Sequence, residues 1–207
     1  MEASDAAEQI VETKENGADK FKSRAAMVIG FMAMLLAITS LGGGNVLEDM
    51  IAHNIHASDT WAFYQAKTIR QTSLRVAADA LEAELKINPN MATDARQVLE
   101  TKIDEYRKTA ERYDDEPDKS DPANPLKGEG RKQLTARARD FEAQREIAQK
   151  KDPNFDFAEA LFQIAIVLAS VAILATSRRI LVFALVAGLA AALLMLNGYF
   201  LILPNLL

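Results

Sequence analysis

The sequence predicts an all-α membrane protein: three transmembrane helices plus a long extramembrane helical hairpin, antiparallel and coiled-coil-like. Three observations carry this expectation. Charged residues make up 26% of the 207-residue chain, yet they are nearly absent from residues 25–41, 157–176 and 180–203. Residues between the first and second of these blocks are dense in charge and carry apolar positions at helical spacing. The second and third blocks are separated only by Ser177, Arg178 and Arg179, a connection that forces two antiparallel helices.

The block at 25–41 has no ionisable side chain, and the uncharged run extends through Gly42, Gly43, Gly44, Asn45 and Val46. At about 1.5 Å per residue it spans about 30 Å, the thickness of a hydrocarbon core. A secretory signal peptide is the competing reading, and the long acidic segment ahead of the block disfavours it. The expected divisions are a flexible acidic tail over 1–24, a membrane helix over 25–46, an extramembrane domain over 47–153, a membrane helix over 154–177, and a third membrane helix with a short C-terminus over 178–207. Lys14, Lys20, Lys22 and Arg24 precede the first block, whereas Glu48, Asp49 and Asp59 follow it. With Arg178 and Arg179 in the hairpin turn, the positive-inside rule then puts the N-terminus in the cytoplasm and the helical domain in the periplasm. Lys150 and Lys151 run against that assignment.

Within the extramembrane domain the pattern predicts helices over 47–87, 91–113 and 131–151 and a loop or mobile linker over 114–130. Ala62, Ala66, Ile69, Ser73, Val76, Ala80, Ala83 and Ile87 alternate at four- and three-residue steps, a heptad seam. A second line through Leu74, Ala77, Ala78, Leu81 and Leu85 implies more than one packing partner. Pro89 stops the first helix. Ala92, Leu99, Ile103, Tyr106, Ala110 and Tyr113 mark a seam on the second, and Leu134, Ala138, Phe141 and Ala148 one on the third. Asp152 and Pro153 are expected to end the third helix, with Asn154 capping the next. The Gly42–Gly44 run reads as a hinge.

The candidate sites are few. A net charge of -5 and the lack of a basic face exclude nucleic acid as a partner, and the absence of cysteine excludes thiol chemistry. No cofactor is expected. His53 and His56 lie on one helix face near Glu48, Asp49 and Asp59, the donor types that bind zinc, although two interfacial histidines are the plainer reading. Trp61, Phe63, Tyr64, Lys67 and Arg70 combine aromatic and cationic groups, as an interfacial belt or a contact surface does. Glu159, Gln163 and Asn197 are polar groups within or beside the membrane helices, where such groups are costly. The acids of 114–130 are interrupted by prolines and lack the spacing of a calcium loop.

The stretch His56 to Gln71 (HASDTWAFYQAKTIRQ), followed by a helical segment and a terminal hydrophobic hairpin, resembles a bacterial membrane family, domain of unknown function 4337. Its most specific part is Ser58-Asp59-x-Trp61-x-x-Tyr64-Gln65-Ala66-Lys67. The resemblance implies a bacterial inner-membrane protein and brings no catalytic residues. Together these readings lead us to expect a structural or accessory protein, not an enzyme, that meets the lipid bilayer and forms a homo-oligomer or joins a larger membrane complex. A small oligomeric channel or transporter lined by Glu159, Gln163 and Asn197 is the alternative, and a periplasmic sensor working through a partner is a third reading.

Overall fold

A computed structural model describes residues 3–203, with side chains from Asp19 onward. The flexibility expected of the tail over 1–24 falls largely outside the described side chains. Four helices make up the described fold: α1 (Ala3–Ile87), α2 (Thr93–Asp114), α3 (Arg131–Leu174) and α4 (Arg178–Phe200). Among the described residues there is no strand, only an isolated bridge between Pro117 and Gly128. The helices form two compact units, one of Met1–Asp49 with Ile147–Leu207 and one of Met50–Glu146.

In the first unit, α1, α3 and α4 are each long and apolar enough to cross a membrane. Their contact faces are built from small residues at heptad spacing. Ala158, Ala165, Ala169 and Ala172 of α3 are fully buried, as are Ala184 and Ala191 of α4 and Ala25 and Thr39 of α1. Lipid is as apolar as these side chains, so helices associate there by close packing, and small residues let the backbones approach. Met32, Phe162 and Met195 fill the centre.

Two expected breaks are absent. The glycines at 42–44 are helical and make no break in α1, and at Gly42 and Gly43 a neighbour crowds the space a side chain would take, whereas Gly44 faces open space. A Cβ on Gly42 would lie 2.6 Å from the Phe155 ring and from the Tyr199 hydroxyl, and one on Gly198 within 3.0 Å of the same Phe155 ring. Close approach therefore offsets the backbone entropy that helical glycine costs. Nor does Pro153 end α3: the helix continues through it to Leu174. Proline deprives the Gln149 carbonyl of its backbone donor. Asn154, expected as a cap, is instead buried mid-helix, where its amide donates to the Lys150 carbonyl at 3.0 Å. At the C-terminus of α3, Thr176 takes a left-handed conformation (φ 49) and the Ser177 amide reaches back to Ala172 at 3.0 Å, a Schellman closure. Arg178 and Arg179 consequently open α4 and do not lie in the turn.

In the second unit α2 and the first turns of α3 lie against successive stretches of α1. Arg107 of α2 is paired with Glu82 of α1, and Gln71 donates to the Ala110 carbonyl at 2.8 Å. Further on, Arg131 meets Gln71 and Tyr64, Glu142 meets Trp61, and Arg145 meets Asn54. The partners recede along α1 as the chain advances, so both segments run antiparallel to it. The expected seams of α2 and α3 are the ones buried, with Ile103, Ala110, Leu134, Ala138 and Ala148 least exposed, except that Ala92 is exposed and precedes α2.

On α1 the first line differs from expectation. Ile69, Val76 and Ile87 are 67%, 61% and 76% exposed. The packed seam is a neighbouring heptad through Ala57, Thr60, Tyr64, Lys67, Gln71, Leu74, Ala78, Leu81 and Leu85, half-buried or buried throughout. Leu74, Ala78, Leu81 and Leu85 belong to the expected second line, which is thus a packed one; the polar members hid the rest of the seam, since Lys and Gln carry no apolar signal.

The connection at 115–130 is a folded loop, not a linker. Glu129 and Gly130 donate backbone amides to the Glu116 carbonyl at 2.9 and 3.4 Å, and Arg137 of α3 donates to the carbonyls of Leu126 and Gly128 at 2.9 and 2.7 Å. Gly128 has φ +102, and a Cβ there would strike the Glu116 carbonyl, so no other residue fits without strain.

Candidate functional site

The densest polar cluster forms where the packed seam of α1 meets the end of α2, the loop and the start of α3. Lys67 projects from that seam and is 3% exposed. An ammonium buried this deeply needs an anion. Glu116 supplies it at 2.9 Å, and Glu129 lies 3.8 Å away. The rings of Phe63 and Tyr113 add cation-π faces at 5.6 and 5.3 Å. One turn along, Gln71 bridges two elements by donating to the Ala110 carbonyl and accepting from the Arg131 guanidinium at 2.6 Å.

Arg131 is the second cation of the cluster. It donates to the Tyr64 hydroxyl at 2.7 Å and stacks 4.9 Å from that ring. A cation in the first turn of a helix opposes the helix dipole, and Asp114 at 3.5 Å offsets the conflict. Beside it, Gln133 and Lys132 donate to Asp115 at 2.8 and 2.9 Å. Those hydrogen bonds, Gln133 first, hold the exposed Asp115 carboxyl below the usual carboxylate range.

The residues expected to form an interfacial belt thus divide in two. Trp61, Tyr64 and Lys67 face other parts of the chain: the Trp61 indole donates to Glu142 at 2.9 Å and packs edge-on to Tyr64. Phe63 is more exposed, and Arg70 is exposed. Because Trp61 is the chain's one tryptophan, its fluorescence reports on the α1–α3 contact. Glu142→Ala is expected to cost about 1 kcal/mol, a charge-assisted hydrogen bond discounted for partial exposure, measured as a shifted denaturation midpoint of Trp61 emission. An unshifted midpoint would remove the bond from the account of stability.

His53 and His56 both lie against the Phe141 ring, with centroids 6.1 and 5.2 Å away. No group of three or more His, Asp or Glu side chains suited to a metal ion occurs among the described residues. The polar groups of the three apolar helices form two separate sets. Asn197 donates to Asn154 at 2.8 Å and to the Leu203 carbonyl at 3.1 Å, and accepts from the Leu203 amide at 2.8 Å. Glu159 accepts from Ser40 and from Gln163, both at 3.4 Å.

Sequence reasoning picked out Tyr64 and Lys67 but missed Gln71, Glu116, Arg131 and Glu142. The signal for Gln71 was its place on the buried heptad; the signal for Arg131 was its conflict with the helix dipole. What the cluster does chemically is join three elements, since its donors and acceptors are largely paired within the chain.

No curated protein and no solved structure matches the chain. A family model described as a domain of unknown function, DUF4337, matches residues 21–201. That span contains all three apolar helices and the whole polar cluster, including the Trp61, Tyr64 and Lys67 positions on which the resemblance rested, so the chain belongs to the DUF4337 family.

Proposed function

We propose that this chain is a membrane-anchored structural or accessory protein, without enzymatic activity of its own, that associates through α1 with copies of itself or with a larger membrane complex. The observation carrying this reading is the exposed face of α1. Ile55, Ile69, Val76 and Ile87 are each more than half exposed, and Ala62, Ser73, Ala80 and Ala83 continue the same line at heptad spacing, on a helix whose other seam is already filled by α2 and α3. A second seam at the coiled-coil period suits another helix. In this reading residues 50–146 form the extramembrane coiled-coil hairpin.

The proposed setting is the bacterial inner membrane, with the N-terminus cytoplasmic and the helical unit periplasmic. Lys20, Arg24 and Arg178 line one groove of the first unit, which supports a common cytoplasmic side for both clusters under the positive-inside rule. A channel lined by Glu159, Gln163 and Asn197 is less well supported, because the Asn197 amide is engaged by Asn154 and Leu203.

The absence of native cysteine makes a clean test available. In the full chain in mild detergent, Val76→Cys is expected to form a disulfide-linked dimer on oxidation, because parallel pairing sets a core position against itself. Ala78→Cys, on the seam already filled, is expected to form no disulfide-linked dimer. A monomer by mass, with no cross-link from cysteine at 69, 76 or 83 and no co-purifying membrane protein, overturns the proposal.

A further inference from the structure

Within the first unit α1 and α4 touch closely where Met32 reaches over Gly188: a Cβ on that glycine would be 2.5 Å from the Met32 methyl. Around this contact the helices leave an apolar groove of about 520 Å³, walled by Met27, Phe31, Leu35, Leu185 and Leu189. It adjoins a second hollow of about 470 Å³ lined by Lys20, Phe21, Arg24, Arg178 and Leu181, with Arg24 and Leu185 lining both. Hydrocarbon surface therefore borders a cluster of two guanidinium groups and an ammonium.

We propose that this groove binds one anionic phospholipid, with an acyl chain along Phe31 and Leu189 and the phosphate held between Arg24, Arg178 and Lys20. Arginine forks match phosphate oxygens in two-bond geometry, and basic pockets between membrane helices select anionic headgroups. Among the described residues no carboxylate lies within ion-pair distance of these three cations; the nearby Asp19 is paired with Lys22 instead. Charge also decides between occupants. The apolar stretch of a helix from a second copy would have to bring an anion to this height, but the carboxylates in or next to the apolar stretch of α3, Asp156 and Glu159, lie at its start, far along the helix from the turn that leads into Arg178, and the apolar stretches of α1 and α4 carry none. A phosphatidylcholine would bring a compensating ammonium into a cluster already cationic.

The test uses the full chain in mild detergent, loaded with dioleoyl phosphatidylglycerol or dioleoyl phosphatidylcholine, and counts lipids retained by native mass spectrometry. Phosphatidylglycerol is expected to be retained at least tenfold better. Each cation near an anionic headgroup contributes about fivefold in affinity, so Arg24→Gln with Arg178→Gln is expected to weaken retention about thirtyfold. Arg179→Gln, adjacent but not lining the groove, is the matched control and is expected to change nothing. Leu185→Trp fills the groove with the charges intact and is expected to lose the lipid as well. Equal retention of the two lipids, an undiminished signal in the Arg24→Gln/Arg178→Gln protein, or displacement by millimolar glycerol 3-phosphate each overturns the proposal, the last by assigning the cluster to a free phosphate.

Discussion

Glu116→Ala is expected to destabilise the full chain by about 2 kcal/mol, whereas Lys67→Met is expected to cost less than half as much. The asymmetry follows from burial. The Lys67 side chain is 4% exposed and that of Glu116 33%. Removing the carboxylate strands a buried ammonium with only Glu129 nearby, at 3.8 Å. Breaking a buried pair in this way costs about 3–5 kcal/mol when both partners are enclosed, and the partial exposure of Glu116 reduces that figure. Removing the lysine instead lets Glu116 return to water, while a methionine fills the stem's place. Denaturant midpoints read from Trp61 emission measure both, and the reverse order would show that Lys67 is held by something other than charge.

Phe155→Ala carries the other large effect, about 2 kcal/mol. In a water-soluble core such a truncation costs about 3–5 kcal/mol. Between helices facing lipid the transfer from water contributes little, so the lost contacts and the cavity remain. Gly42→Leu attacks the same contact from the other side, since its side chain would occupy the place of the Phe155 ring, and overpacking of this kind costs about 1–3 kcal/mol. The two substitutions combined are expected to lose clearly less than the sum of the single changes, because the new leucine enters the space the ring vacates. Thermal loss of helical signal in detergent gives the three values. Simple additivity would mean that the glycine and the ring are not each other's neighbours.

The apolar helices were legible in the sequence because lack of charge over about twenty residues has few other meanings. The seams of α2 and α3 were legible for a similar reason: their buried positions are Ile, Leu, Tyr and Ala. Two things were hidden. One was the polar half of the packed face of α1, whose Lys67 and Gln71 look like surface residues until Glu116 and Arg131, distant in sequence, arrive to satisfy them, whereas its apolar half from Leu74 to Leu85 was legible. The other was continuity. Gly42–Gly44 and Pro153 are locally helix-breaking, and contacts of Gly42, Gly43 and Asn154 with other helices favour a helical path there. Those contacts leave no periodic trace in the segment itself, which is why hinge and cap were expected where the chain instead passes straight through.

The Phe155 ring has consequences for how the three apolar helices come together. It stands between Gly42 on one helix and Gly198 on another, so its place is complete only when both are present. A pair formed by α3 with either partner alone would leave one side of the ring in lipid, and the final closure would gain contacts that neither pair possesses. The bundle is therefore expected to assemble as a triple event: an α4 lacking its docking glycine should weaken the grip of α3 on α1, a helix it does not itself replace.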